Sequence, residues 1–298
     1  MTKSSIALII AGALILTGIA LIVIGGTCPY KPFNYLEASP VNVEIVEDFD
    51  EVRIETTSDD VEIRVSEDGK ARIESQENDE RRLIIHRQSG TLFIERENSE
   101  SWISFWRADR MDGKITVFLP QKVYDKLDIV VTSGDIYAAD GLKFGSVSLY
   151  TTSGDIDVRG ITADDIVSHT TSGATEFCDI MAGKIKISAT SGNTKLSEVA
   201  CESLKMHSTS GEHELSDVSV VAAAEIETTS GDIEFERLSA AYINIDGTST
   251  DIDGSIVGPM VYSVKTTSGD VEIPFSAEGG ECRLKTTSGD ITITEIKE

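Results

Sequence analysis

Thr-Ser-Gly recurs at a fixed interval, and that interval decides the fold class before composition is considered. The motif serines are Ser133, Ser153, Ser172, Ser191, Ser210, Ser230, Ser249, Ser268 and Ser288, separated by 20, 19, 19, 19, 20, 19, 19 and 20 residues. A threonine precedes each, and glycine follows all except Ser249, where Thr250 stands instead. Self-similarity at a constant period near 20 residues signals a solenoid. After the glycine, polar and apolar residues alternate, as in Asp155-Ile156-Asp157-Val158, Asp232-Ile233-Glu234-Phe235 and Asp270-Val271-Glu272-Ile273. A period of two means strand. A second apolar position falls eight residues after the serine, at Ile161, Ile180, Val199, Val218, Leu238 and Val257. A third stretch alternates further on, pairing Ile185 with Ile187, Leu204 with Met206 and Ile243 with Ile245.

The expected fold is therefore all-β. It is a single-stranded, right-handed parallel β-solenoid of nine 19–20-residue coils over residues 131–298. The hand follows from the near-universal right-handedness of parallel crossovers. Thr-Ser-Gly-Asp is the corner of each coil, where glycine permits positive φ and Ser and Asp bond back to the backbone. Coils stacked in chain order would set the nine serines in one column, with Ile156, Ile233, Ile252, Val271 and Ile291 pointing inward.

Residues 38–130 read as a β-rich cap over the first coil, which a solenoid needs. Their strands, such as VNVEIV, EVRIETTSDDVEIRV, LIIHRQSGTLFIE and KITVFLP, are longer and less regular. Thr57-Ser58-Asp59-Asp60-Val61 is a degenerate first copy of the motif, and Asp68-Gly69 and Ser89-Gly90 read as hairpin turns.

The amino terminus differs in kind. Ile6 to Ile24 are 19 consecutive uncharged residues, enough to span a bilayer as a helix. Residues 1–5 then form a short cytoplasmic terminus, 6–26 a transmembrane helix or signal anchor, and 27–37, with Pro29 and Pro32, a linker. A cleaved signal and a lipid-modified Cys28 remain alternatives, but the length of the run favours an uncleaved anchor. Lys3 on the short side places that end inside, so the bulk of the chain is expected outside the cytoplasm at the cell membrane.

Twenty-six Lys and Arg stand against 51 Asp and Glu, a net charge of −25. Such a field repels nucleic acid and favours cations, polycations or basic proteins, although an acidic surface also simply keeps a protein soluble. Two and four residues after each motif serine, side chains share one outward face. Thirteen of these 18 positions are carboxylates. Glu212, Glu214, Asp232, Glu234, Asp251, Asp253, Asp270 and Glu272 would form one strip, a candidate Ca2+ or polycation site. A solvated acidic face is the plainer reading.

Trp102, Phe105 and Trp106 form either a plug over the first coil or an exposed aromatic loop. Cys178 and Cys201 could pair, though nothing requires it, and the four cysteines show no metal-ligand spacing. His169 and His207 share a coil position two coils apart, too far for one metal. No nucleotide-binding or nucleophile-elbow motif is present, so neither catalysis nor a resident cofactor is expected.

The run YDKLDIVVTSGDI followed by repeated TTSGDI resembles the bacterial β-strand-repeat proteins known as putative adhesins, a domain family of unknown function. The resemblance covers roughly residues 40–298. It implies a role in the cell envelope, with a membrane anchor common among members and some encoded among envelope-stress genes of Gram-positive bacteria. It carries no catalytic residues. The expected function is an adhesin-like binding module, with an end-to-end self-associating scaffold as the alternative.

Overall fold

Strands whose alternate residues are apolar must bury one face, and here successive coils bury it against one another. The computed structural model describes residues 39–77, 82–96, 113–139 and 141–297. The described residues contain strands and no helix, in one parallel-dominated stack within the unit Ala38–Glu298. The apolar run at residues 6–24 and the aromatic segment with Trp102, Phe105 and Trp106 lie outside the described residues.

The stack begins within residues 38–130, the region expected to be a β-rich cap continuous with the solenoid. β1 (Ser39–Ile45) leads to β2 (Glu51–Thr56) and β3 (Asp59–Val65), which flank the degenerate Thr57-Ser58 corner. β4 (Ala71–Glu77), β5 (Leu83–Gln88), β6 (Thr91–Arg96) and β7 (Gly113–Leu119) follow, then β8 (Val123–Val131) and β9 (Ile136–Ala138). β2 pairs in parallel with both β6 and β8, and β3 with both β7 and β9. The first coil of the chain is thus the second layer of the stack, with β6 and β7 outside it. Antiparallel strands line that outer layer: β5 pairs with β6, β4 with β7, and β1 with β4. Ser89-Gly90 closes the β5–β6 hairpin, with φ of 53° and 87°. Asp68-Gly69 does not close a hairpin, because β7 lies between β3 and β4.

Through the middle, coil follows coil in chain order. β10 (Lys143–Ser153), β11 (Ile156–Arg159), β12 (Thr162–Ser172), β13 (Thr175–Ser191), β14 (Thr194–Ser210) and β15 (His213–Ser230) set serine over serine from Ser153 to Ser230. β16 (Ile233–Leu238) and β17 (Tyr242–Ser249) carry the column to Ser249. The inward residues Ile156, Ile185, Ile187, Leu204, Met206, Ile233, Ile243 and Ile245 are all buried. A second corner, not evident in the repeat pattern, turns the five consecutive coils from Ser153 to Ser230 seven residues after the serine. Gly160, Asp179, Glu198, Asp217 and Arg237 all adopt left-handed φ there, between 53° and 60°.

At the carboxyl end the order inverts. β18 (Ile252–Val257) completes the coil after Ser249, with Ile256 rather than Val257 fully inward. The chain then forms β19 (Met260–Lys265), β20 (Val271–Glu272), β21 (Gly280–Lys285) and β22 (Ile291–Ile296). β21 pairs with both β17 and β19, and β22 with both β18 and β20. The last coil therefore lies inside the penultimate one, and the serine column runs Ser249, Ser288, Ser268 rather than in chain order. This corrects the expectation for Val271, which is 44% exposed, whereas Ile252 and Ile291 are buried. Pro259 and Pro274 flank the outer coil and lack a donor N–H, which an edge tolerates and an interior layer does not. Residues 280–296 contain no proline.

Candidate binding face

Stacking explains the glycine of the corner better than φ does. A Cβ on Gly192 would sit 1.9 Å from the Gly173 carbonyl oxygen of the coil beneath. At Gly154, which is not among the positive-φ glycines, a Cβ would still lie 2.0 Å from the Gly134 oxygen. Two corners have a side chain at this place, and both turn it inward. Asp59 is fully buried, pairs with Arg96 at 2.6 Å and accepts from the Thr56 hydroxyl. Thr250 is also buried, and Gly247 makes room for it, since a Cβ there would meet Thr250 Cβ at 2.6 Å.

The corner aspartate is a rung between coils. The backbone N–H of Asp135 donates to Asp60 Oδ1 at 2.9 Å, that of Asp155 to Asp135 at 2.8 Å, and that of Ala174 to Asp155 at 2.7 Å. Asn193 receives the Glu212 N–H at 3.0 Å. The ladder continues from Asp251 to Asp232, Asp290 to Asp251 and Asp270 to Asp290, at 3.2, 2.8 and 2.8 Å. Hydrogen bonds to an ionised acceptor are stronger than neutral ones, so a corner carboxylate also joins coils.

The eight predicted strip residues are all exposed on this face, but the inverted end rearranges them. One column runs Glu212, Asp232, Asp251, Asp290, Asp270. The other runs Glu214, Glu234, Asp253, Thr292, Glu272. Asp290, expected on this face but outside the strip, enters the first column between Asp251 and Asp270, and Thr292 interrupts the second. Lys195 Nζ lies 2.9 Å from the Glu214 carboxylate. Among the described residues, Glu234, Glu236 and Asp253 form no ion pair. With Glu214, Leu215, Ser216 and Phe235 they line a shallow depression of about 290 Å³. No group of three His, Cys, Asp or Glu among the described residues comes together as a metal cage would need. Carboxylates repeating at the ~4.8 Å coil spacing instead present an extended line of charge.

Behind the same corner the core turns polar. Thr175, Thr194 and His213 occupy the inward place held by isoleucine in neighbouring coils, and all are at most 2% exposed. His213 Nε2 lies 2.6 Å from Ser208 Oγ, which donates to Thr228 Oγ1 at 2.8 Å. Nδ1 of His213 and the hydroxyls of Ser168, Thr170, Thr175 and Thr194 have no partner among the described protein groups. Burial pushes the His213 pKa down to about 4. A polar residue at the position three after the serine was the available signal, and period-two reading passes over it.

Cys178, Cys201 and Cys282 are free thiols, so Cys178 and Cys201 do not pair. Burial raises the Cys201 thiol to about 11 and that of Cys282 to about 12, which makes both poor nucleophiles. His169 and His207 occupy equivalent places two coils apart, with Ser188 between them.

The family model described as Toastrack DUF4097 matches residues 49–258 and again 164–298. No curated protein matches the chain. Among solved structures, a "putative adhesin" from Bacteroides fragilis is similar at 15% identity and a TM-score of 0.51, over 74% of this chain and 97% of that one. A "putative lipid binding protein" from Parabacteroides distasonis aligns at 17% identity and a TM-score of 0.49, over 87% of this chain and 97% of the other. At 15% identity the likeness to the Bacteroides fragilis protein concerns the fold alone.

Proposed function

The chain belongs to the Toastrack DUF4097 family, and from that premise we propose that it is a non-enzymatic binding module of the bacterial cell envelope. The run Ile6–Ile24 would hold it in the cell membrane, with the solenoid outside the cytoplasm. Protease added to intact protoplasts should then digest the solenoid, and full protection would reverse the orientation. The adhesin description of the Bacteroides fragilis protein suits this reading, and an envelope-stress role is the process the sequence resemblance implies.

The observation that carries the proposal is the pair of exposed carboxylate columns, Glu212–Asp232–Asp251 beside Glu214–Glu234–Asp253. A partner matched to them is cationic and extended, such as a lysine-rich protein segment or a polyamine of the envelope. A point ion is matched less well, because no three ligands converge among the described residues. End-to-end stacking of coils between molecules is also favoured less. It needs two open ends, and β5 and β4 pair with the outer strands β6 and β7 at one of them.

The test uses the full chain in nanodiscs, titrated with an oligolysine peptide. Glu214→Gln, Glu234→Gln and Asp253→Asn together remove three charges without touching the aspartate ladder. Exposed ion pairs contribute about 0.2–1 kcal/mol each, so affinity should fall about tenfold. Equal binding by parent and variant would overturn the proposal. A Ca2+-specific rise in melting temperature, beyond NaCl at equal ionic strength and lost in the variant, would instead assign the strip to a divalent cation.

A further inference from the structure

The inverted carboxyl end creates a slot that a second chain can fill. β19 and β20 have no pairing with β17 or β18; only β21 and β22 lie between and join them. Until residues 280–296 arrive, the outer coil therefore has nothing to stack on. The arriving segment is tethered only by residues 273–279, with Phe275 94% exposed and Gly279 at a φ of 131°. Its buried residues Cys282, Leu284, Ile291 and Ile293 fill the slot. None of these contacts depends on which chain supplies the segment.

We infer that the carboxyl-terminal coil is an exchangeable insert, and that its partner in trans is a second copy of this chain. Two chains trading residues 280–296 form a closed two-fold pair in which every slot contact is kept and only the 273–279 tether changes path. Such reciprocal exchange is a low-cost route to dimers. The short tether favours self-insertion, since a flexible linker of this length gives an effective concentration on the order of millimolar. Exchange is thus expected when chains fold together at high concentration, and trapped once folding is complete. The inference does not rest on the cationic-partner reading.

Glu272 and Thr292 are register partners across the slot, which gives a direct test with the full chain. One population carries Glu272→Cys and the other Thr292→Cys. They are unfolded and refolded together over a range of concentrations, then oxidised, and the linked peptides are identified by mass spectrometry to set aside pairing through native cysteines. The expected result is a dimer joined by a disulfide between the two substituted positions. Its yield rises with chain concentration during refolding, and it is absent when the two populations are mixed already folded. The double variant in one chain should close internally at low concentration. No inter-chain product at any concentration, with the double variant closing normally, would overturn exchange. Failure of the double variant to close would overturn the slot itself.

Discussion

His213 is the residue where the physics of the core departs furthest from its neighbours. Its folded pKa of about 4 lies below the ordinary value of 6.5, because burial disfavours the charged ring. The unfolded chain therefore binds a proton more readily than the folded one as pH falls below 6.5. The stabilisation is complete above that pH and is lost down to about pH 4, amounting to about 3 kcal/mol. Denaturant unfolding at pH 7 and pH 4.5 should show this loss in the parent and a shallower one in His213→Ile, which restores the residue of the next coil. Equal pH dependence in both would remove His213 as the cause. The corner glycines make the second prediction at this scale. Gly192→Ala places a Cβ against a backbone oxygen that cannot swing away, so overpacking should cost about 1–3 kcal/mol or more. Gly258→Ala, with open space around its Cβ but a φ of 88°, should cost about 1–2 kcal/mol from backbone strain alone. Calorimetric melting of the two variants ranks them. The need for glycine at the corner was legible in the repeat; its main cause, contact between stacked backbones, became visible only with the coils in place.

At the scale of strands and coils, period-two alternation located the inward faces well, as Ile156, Ile233 and Ile252 show. It could not order the coils. TTSGDV at 266–271 and TTSGDI at 286–291 are interchangeable as local sequence, so nothing in the repeat says which one meets Ser249. The clue lay outside the motif, in Pro259 and Pro274. The second corner was missed because left-handed φ is taken there by Asp, Glu and Arg as well as by Gly160, leaving no residue signature. Inversion makes equivalent positions unequal. Ile233→Asp buries an unpaired charge and should cost several kcal/mol. Val271→Asp, at the same place in the outer coil and 44% exposed, should leave the melting temperature almost unchanged. Equal losses would restore sequential stacking.

In the molecule as a whole one arrangement governs the rest: both terminal coils of the described stack lie one layer inside their sequence neighbours. That arrangement keeps the first and last coils off the edges, threads Asp290 into the acidic column and creates the exchange slot. The sequence announced the solenoid and its acidic side, because period and charge are local properties. It was silent on layer order, which depends on long-range pairing between near-identical segments. Amide hydrogen exchange on the intact protein reads layer order without mutation, since strands paired on both sides open less readily than edge strands. Amides of 281–296 are expected to be well protected while those of 260–272 exchange fast, so protection rises again towards the carboxyl end. Protection that declines steadily from residue 242 to residue 297 would contradict that layer order.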